Sequence, residues 1–263
     1  MTLVARFDTD TALAPAGEGA WTAHIDPSWF VVSGPNGGLL TALATRALAE
    51  LTDRPPRSLT VHYLEAPAEG ELEIRARIER EGATTVSASV SMHQRGRTVA
   101  LGLAACAHWR EGQPEWDDAR MPEMPPPRAC EPFPSGVPEL PPYLRKYEIR
   151  WTGLDGGARP ATVRAWLRPA DPRPVDPVLL AALADAMMPP SFLRMPERLF
   201  VPTIDLSVHW RGLPPEGGHP WVLGSFTTRV SAGGVCEEDG ELWSEDGRLL
   251  VQSRQLAIVR RPR

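Results

Sequence analysis

Asp185 is the residue whose surroundings in the sequence most strongly suggest chemistry. It lies in a run, residues 178–188, that is apolar on nearly every side and whose length and alanine content indicate a buried helix. Burying an unpaired carboxylate costs several kcal/mol or shifts its pKa, and such groups concentrate at functional sites. We therefore expect Asp185 to have hydrogen-bonding partners or a catalytic task. The alternative is a solvated position at the helix end, just ahead of Pro189 and Pro190.

A second candidate feature is the glycine pair Gly37-Gly38, which Asn36 precedes as a helix N-cap. The apolar run that follows, residues 39–44, predicts a buried helix. Glycines at a helix start let a substrate approach the backbone closely and aim N–H groups at a carbonyl oxygen. A tight turn into the helix would explain the same pair.

The elements that must position these residues occur twice in the chain. The strand-like segment LTVHY at 59–63 returns as LSVHW at 206–210, and the apolar run 39–44 returns as 179–184. Each copy reads as a helix followed by several strands. A period above 100 residues indicates duplicated domains and not a solenoid. We expect an α+β fold in which two antiparallel sheets wrap around two helices.

A proline-rich segment separates the copies. Residues 112–142 contain ten prolines, which exclude regular helix and central strand. We expect an extended linker over 111–143 on the surface, between an N-terminal domain, 1–110, and a C-terminal domain, 144–263.

Composition and charge exclude several classes of function. The chain has 263 residues and a net charge of −5, which argues against a nucleic-acid binder. No stretch approaches the roughly 18 apolar residues of a membrane span, and no signal-like segment begins the sequence. We therefore expect a cytoplasmic protein with no membrane contact. Cys106, Cys130 and Cys236 lack CxxC spacing, so neither a metal site nor a cofactor is expected.

Several catalytic motifs are absent from the sequence. There is no GxSxG nucleophile elbow, no phosphate-binding P-loop and no GxGxxG between a strand and a helix. The six histidines show no HExxH spacing. His62 and His209 are repeat partners, which favours a structural role in the duplicated strand.

Taken together, these features resemble a known family. They are the duplicated helix-and-sheet unit, Gly37-Gly38 opening the first helix, Ala184-Asp185 in the second, the strand 203–207 and Gln255 in the last strand. This arrangement resembles the double-hotdog acyl-CoA thioesterases of the TesB type. The resemblance implies two tandem copies of a long helix wrapped by an antiparallel sheet.

The resemblance also implies the site and the reaction. Asp185, Thr203 and Gln255 match the catalytic aspartate, threonine or serine, and glutamine of that family. They imply direct attack of water on an acyl-CoA thioester without a covalent intermediate. Asn36, Gly37 and Gly38 are then expected to face the substrate, and Met187 and Met188 to line an acyl tunnel.

The strand patterns support these assignments unequally. Gln255 shares a strand face with small and apolar residues, although a solvated face is an equal alternative. Alternation places Thr203 with Asp205, opposite the apolar positions, so its inward placement depends on the resemblance. The repeat aligns Asp185, Thr203 and Gln255 with residues that lack these groups: Thr45, Pro56 and Ala104. We therefore expect one active site per chain.

Two rivals remain open. A double-hotdog hydratase or dehydratase would have glycine four residues after a catalytic histidine, and glutamine or histidine four residues after an aspartate. Here Ser28 follows His24 and Pro189 follows Asp185. The other rival is a non-catalytic acyl-binding protein with the same fold. A monomer and a homo-oligomer of such units are both compatible with the sequence.

Overall fold

A computed structural model describes residues 5–32, 34–110, 112–134, 140–157, 159–171, 173–195, 199–212 and 221–261. The described residues form one continuous antiparallel sheet. In chain order its strands are β1 (Ala14–Gly17), β2 (Ala20–Ile25), β3 (Pro56–Tyr63), β4 (Gly70–Glu81), β5 (Val86–Gln94), β6 (Arg97–Cys106), β7 (Glu131–Pro132), β8 (Tyr147–Trp151), β9 (Ala161–Pro169), β10 (Thr203–Trp210), β11 (Val222–Thr228), β12 (Ser231–Ala232), β13 (Val235–Ser244) and β14 (Leu249–Ile258).

Among the described residues, three α-helices accompany the sheet, α1 (Arg6–Asp10), α2 (Gly37–Leu51) and α3 (Pro177–Leu183). Four short 3₁₀ helices are also described, at Pro27–Trp29, Pro127–Ala129, Pro142–Lys146 and Pro190–Arg194. In the described part of the chain, no helix combines the length and the apolarity that crossing a membrane requires.

The strand order shows the duplication directly. The first copy runs β1-β2-β4-β5-β6-β3, and the second copy runs β8-β9-β11-β13-β14-β10 in the equivalent order, with the short strand β7 added outside β8. The two copies join where β3 pairs antiparallel with β10. Thr60 lies directly opposite its repeat partner Ser207, and their hydroxyl oxygens are 2.8 Å apart. The sequence repeat is therefore a structural repeat with a local twofold axis at this pair.

The hydrophobic core lies between the sheet and the two central helices. Helix α2 packs against β3, β4 and β5, and also against α3. The helices approach closely because Gly38 has no side chain: a Cβ there would lie 2.5 Å from the carbonyl oxygen of Ala182. Leu39, Leu43 and Leu180 at this contact are fully buried. The contact brings the start of α2 beside the end of α3.

The expectation of a long helix in each copy is not confirmed for the second copy. Helix α2 has 15 residues, whereas α3 has only seven and ends at Leu183. Asp185 therefore lies in the turn after α3 and not inside the helix. The last turn tightens, since the N–H of Asp185 donates to the carbonyl of Ala182, three residues back. Pro189 then prevents a return to regular helix.

The proline-rich segment crosses the outer face of the second copy. Ala119, Met121 and Met124 pack there, against a buried cluster that comprises Cys130, Trp166, Leu223 and Trp243. The indole N–H of Trp166 donates to the carbonyl of Pro125 at 2.7 Å. The segment contains only short 3₁₀ turns and the two-residue strand β7 among its described residues. It therefore covers apolar side chains that the sheet would otherwise expose.

Candidate active site

Six of the eight predicted site residues line a cavity between the two copies, and Gly38 and Met188 do not. The cavity has a volume of about 590 Å³. The first copy contributes the loop before α2, the start of α2 and the residues after β3. The second copy contributes the turn after α3, the start of β10 and the inner face of β13 and β14. Asp185, Thr203, Gln255, Asn36 and Gly37 all line it.

Asp185 is held by hydrogen bonds from the first copy. The side-chain amide of Asn36 donates from Nδ2 to Asp185 Oδ2 at 2.9 Å and to the Asp185 main-chain carbonyl at 2.8 Å. The backbone N–H of Gly38 donates to the same Oδ2 at 3.0 Å. The N-terminus of α2 thus holds Oδ2 in place, while the other carboxylate oxygen, Oδ1, faces Gln255.

The glycine pair has a steric reason. A Cβ at Gly37 would lie 3.0 Å from Asp185 Oδ2, and a Cβ at Gly38 would lie 2.7 Å from Asn36 Oδ1. The glycines therefore admit the carboxylate to the start of α2. This differs from the expectation that the helix N–H groups face a substrate carbonyl, because the Gly38 N–H is given to Asp185.

Burial sets the charge behaviour of Asp185. Although the residue as a whole is partly exposed, its carboxyl group is buried, and burial raises its pKa to about 6. Hydrogen bonds from Gly38, Gln255, Gly37 and Asn36 oppose that rise. The carboxyl group is consequently ionised at neutral pH yet close enough in pKa to accept a proton from water.

Gln255 and Thr203 form the opposite side of the site. The Thr203 hydroxyl donates to Gln255 Oε1 at 2.8 Å, and Gln255 Nε2 lies 3.5 Å from Asp185 Oδ1. Gln255 is buried, which excludes the solvated strand face considered from the sequence.

A β-bulge explains why alternation misplaced Thr203. The pairing of β10 with β14 shifts register between Thr203 and Asp205, so that Thr203 lies opposite Ala257. Directly opposite residues share a face, and Ala257 is on the same inner face as Gln255. The extra residue, Ile204, reverses the phase and turns Thr203 inward.

The sequence reasoning missed Glu238 on β13. This residue lines the cavity, is only 9% exposed, and accepts a 2.6 Å hydrogen bond from Gln255 Nε2 at its Oε1. Burial, and then the charge of Asp185, raise the pKa of Glu238 to about 8. A signal was present, since Glu238 falls on the buried face of an alternating strand with Cys236 and Leu242.

Two tyrosines complete the polar lining near Asp185. The Tyr63 hydroxyl donates to the carbonyl of Gly37 at 3.0 Å and lies 2.7 Å from the Thr41 hydroxyl. Burial, and then the charge of Asp185, raise the pKa of both Tyr63 and Tyr143 well above the usual range. Both side chains therefore stay neutral and act as dipoles.

The mouth and walls of the cavity are largely apolar. Four of its lining residues are large hydrophobic side chains that are also exposed at the surface, namely Val31, Val32, Leu64 and Phe200. Met187 is buried and lines the wall, whereas Met188 is partly buried against the core. Exposed apolar side chains gathered at one opening are typical of a binding site for an apolar group.

Comparison with known proteins gives the family. The chain matches the acyl-CoA thioesterase N-terminal domain over residues 25–107 and the acyl-CoA thioesterase C-terminal domain over residues 119–259. It is 24% identical over 302 residues to an uncharacterized protein of Mycobacterium tuberculosis, covering 97% of this chain and 98% of that one.

Solved structures agree on the fold. A hot dog fold protein of unknown function from Alicyclobacillus acidocaldarius is 27% identical with a TM-score of 0.90, covering 99% of this chain and all of the other. A putative thioesterase II from Thermobifida fusca is 26% identical with a TM-score of 0.87 over the same shares. A TesB protein of Mycobacterium avium subs paratuberculosis, 19% identical over 97% of this chain and 98% of its own, shares the fold with a TM-score of 0.81.

These matches, the paired domains in order and the duplicated antiparallel sheet lead to one assignment: the chain belongs to the acyl-CoA thioesterase family and has a hot dog fold.

Proposed function

We propose that this protein hydrolyses acyl-CoA thioesters by direct attack of water, with Asp185 as the general base. One observation carries the proposal: a buried carboxylate, fixed by Asn36 and Gly38, faces Gln255 across the wall of an apolar-mouthed cavity. The family assignment supports thioester chemistry, and the carboxylate supplies the base that such chemistry needs.

The proposed reaction balances without a covalent intermediate. A water oxygen attacks the thioester carbonyl carbon while Asp185 Oδ1 takes one of its protons. The tetrahedral intermediate then collapses, the C–S bond breaks, and the sulfur leaves with the proton returned from Asp185. The products are a carboxylic acid and free coenzyme A, and Asp185 is ionised again.

The other site residues orient and stabilise. Asn36 and the Gly38 N–H keep Asp185 Oδ2 in place, so that Oδ1 is the atom that meets water. The Thr203 hydroxyl donates to Gln255 Oε1 and so holds the amide in place. An Nε2 hydrogen of Gln255 then points toward Asp185, where it can hold the water or the developing oxyanion. The dipole of the α2 N-terminus favours the ionised form of Asp185 and thus acts on the base.

The cavity supports an apolar acyl group. Its volume of about 590 Å³ falls within the usual range of ligand pockets. Val31, Val32 and Leu64 form an apolar rim in the first copy, opposite Phe200 of the second. Burying an acyl chain against these side chains would contribute about 0.8 kcal/mol for each methylene group.

A thiol-release assay tests this function. Purified protein is incubated with coenzyme A esters from acetyl to palmitoyl, and free thiol and free acid are both quantified. We expect equal amounts of the two products and a preference for apolar chains. Failure to release thiol from every ester contradicts the proposal. Loss of the double bond of an enoyl ester, with the thioester intact, would instead identify a hydratase.

A further inference from the structure

Glu238 is a buried acid that the proposed reaction does not use. Its Oε1 accepts the hydrogen bond from Gln255 Nε2, while no hydrogen bond to its Oε2 is found in the described chain. Within the described residues, no arginine, lysine or histidine forms an ion pair with Glu238 or Asp185. Two carboxyl groups therefore lie on either side of one amide without a neutralising cation.

We propose that Glu238 is a positioning residue for this site: its Oε1 anchors the Gln255 amide with the NH₂ group turned toward Asp185, and its side chain places a second carboxyl group beside the reacting centre. The proposal rests on the proposed hydrolysis, since its consequences are read in that activity.

The orientation of the Gln255 side-chain amide follows from its hydrogen-bond partners. A glutamine side chain can present either its oxygen or its NH₂ group to a given neighbour. An ionised Asp185 can only accept, so it requires the NH₂ group on its side, and the Thr203 hydroxyl donates to the amide oxygen. The 3.5 Å contact with Asp185 is long, whereas the 2.6 Å contact with Glu238 is short. Glu238 Oε1 is accordingly the contact that anchors the NH₂ group, whose second hydrogen is directed to Asp185.

The ionisation of Glu238 depends on the charged and titratable groups around it. On its own strand, the carboxylates of Glu237 and Asp239 raise the pKa of Glu238 further, and the nearby Cys236 is a thiol. Asp185 faces it from the turn after α3, and Tyr143 faces it from the 3₁₀ helix Pro142–Lys146. Asp239 is neutralised by Arg229 and Arg254 on the outer face.

With these neighbours, the two carboxyl groups ionise in sequence. Asp185 loses its proton first, because its carboxylate accepts hydrogen bonds from Asn36 and Gly38, and burial together with the charge of Asp185 raises the pKa of Glu238 to about 8. Ionisation of Glu238 then adds a second negative charge near the carbon where the oxyanion develops, which opposes that oxyanion. Activity should consequently rise with the ionisation of Asp185 and fall with the ionisation of Glu238.

Three variants on β13 separate this role from a structural one. E238Q keeps a carbonyl oxygen for Gln255 but cannot ionise. E238L keeps the volume but removes the acceptor. E241Q changes a glutamate of the opposite face on the same strand and is the matched control. Full pH profiles of kcat and kcat/KM are measured for each, alongside the wild type, with thermal melts to show that each is folded.

We expect the wild type and E241Q to have a bell-shaped profile, with limbs near 6 and 8. E238Q should keep the acid limb, lose the alkaline limb and retain most of kcat at neutral pH. A folded E238L should lose about tenfold or more in kcat, with a smaller change in KM, because Gln255 is left free to turn. An alkaline limb that persists in E238Q, or a folded E238L with wild-type kcat, overturns the proposal. Absence of thiol release by the wild type refutes the proposed function itself, and is thus distinguishable.

Discussion

The two copies share a framework of strands and a helix, but equivalent side chains make different hydrogen bonds in each copy. In the first copy, the Tyr63 hydroxyl donates to the carbonyl of Gly37 at the start of α2. At the equivalent place in the second copy, the Trp210 indole N–H donates to the carbonyl of Pro177 at the start of α3. Both copies thus anchor a helix start with an aromatic side chain from the paired central strands. This contact belongs to the fold and not to the chemistry.

The N-caps of the two helices show the difference. Asp176 caps its own helix by accepting from the Leu179 N–H at 2.7 Å, and it pairs with Arg173. Asn36 makes no side-chain cap hydrogen bond, and its amide reaches across to Asp185. A residue released from local capping is the one that contributes to the site.

The positions equivalent to the catalytic candidates are inert in the first copy. Thr45 is fully buried and its hydroxyl donates to the carbonyl of Thr41 within α2. Ala104 is a small buried residue, and Pro56 lies beside a bulge like the one at Thr203. The bulge is therefore retained in both copies, whereas only the second carries side chains that use it. In the proposed mechanism, the second copy supplies the reacting side chains and the first copy supplies a helix N-terminus, and together they make a single site.

The largest expected effect tests this asymmetry at Asp185. D185N keeps the shape of the side chain but removes the base, so kcat should fall by about 10²–10⁴-fold. Its matched control is T45V, the equivalent position in the first copy, which should stay within about twofold of wild type because it is remote from the cavity. Thiol-release kinetics with one ester compare the three proteins. Equal losses in D185N and T45V would contradict the asymmetry.

The next effect concerns the close contact of the two helices. G38A places a Cβ 2.5 Å from the carbonyl oxygen of Ala182. We expect the free energy of unfolding to fall by about 1–3 kcal/mol, since backbone must move to relieve the clash. G156A, where a Cβ meets nothing within 4 Å, is the control. Denaturant melts measure both, and an unchanged midpoint for G38A would show that the contact is looser than described.

A smaller effect is expected at Thr203. T203V removes the donor to Gln255 Oε1 while keeping the volume, and kcat should fall by about tenfold. T60V removes a hydroxyl from the equivalent strand of the first copy, where it meets Ser207 on the outer face. The ratio of the two rate constants is the measurement. A T60V loss as large as that of T203V would assign the effect to strand stability and not to the site.

The last expected effect is a dependence of stability on pH. The pKa of Glu238 rises from about 4.5 unfolded to about 8 folded, so the folded state binds the proton more tightly. Stability from this group is therefore full below the lower value and declines as the pH rises toward the upper one. E238Q lacks this decline. In melts at about pH 5 and about pH 8.5, the free energy of unfolding of E238Q should increase relative to that of the wild type at the higher pH. The same difference between the two proteins at both pH values would contradict the raised pKa.

The sequence predicted the framework better than the details of the site. The repeat of LTVHY as LSVHW correctly indicated equivalent strands, and the structure pairs them with each other. Asn36 was correctly placed at the N-cap position of α2, although its side chain makes no cap hydrogen bond there. The early end of α3 was missed because its run of apolar residues continues past Leu183, and only tertiary hydrogen bonds to Asp185 favour the turn.

The site details that sequence could not give are those set by pairing. The inward direction of Thr203 depends on a register shift between β10 and β14, which alternation within one strand does not reveal. The carboxylate of Asp185 against the Gly38 N–H depends on the packing of two helices far apart in sequence. The sequence pattern places Glu238 on the apolar face of its strand. Its contact with Gln255 could not be predicted without the pairing of β13 with β14, which sets the two residues opposite each other.

The central claim is that the two copies build one site per chain, with its base at Asp185. Calorimetric titration of the slow D185N variant with octanoyl-CoA tests it most directly, because the ester stays intact during binding. The account predicts one molecule bound per chain. Two molecules per chain would show that the first copy holds a second site and would contradict it.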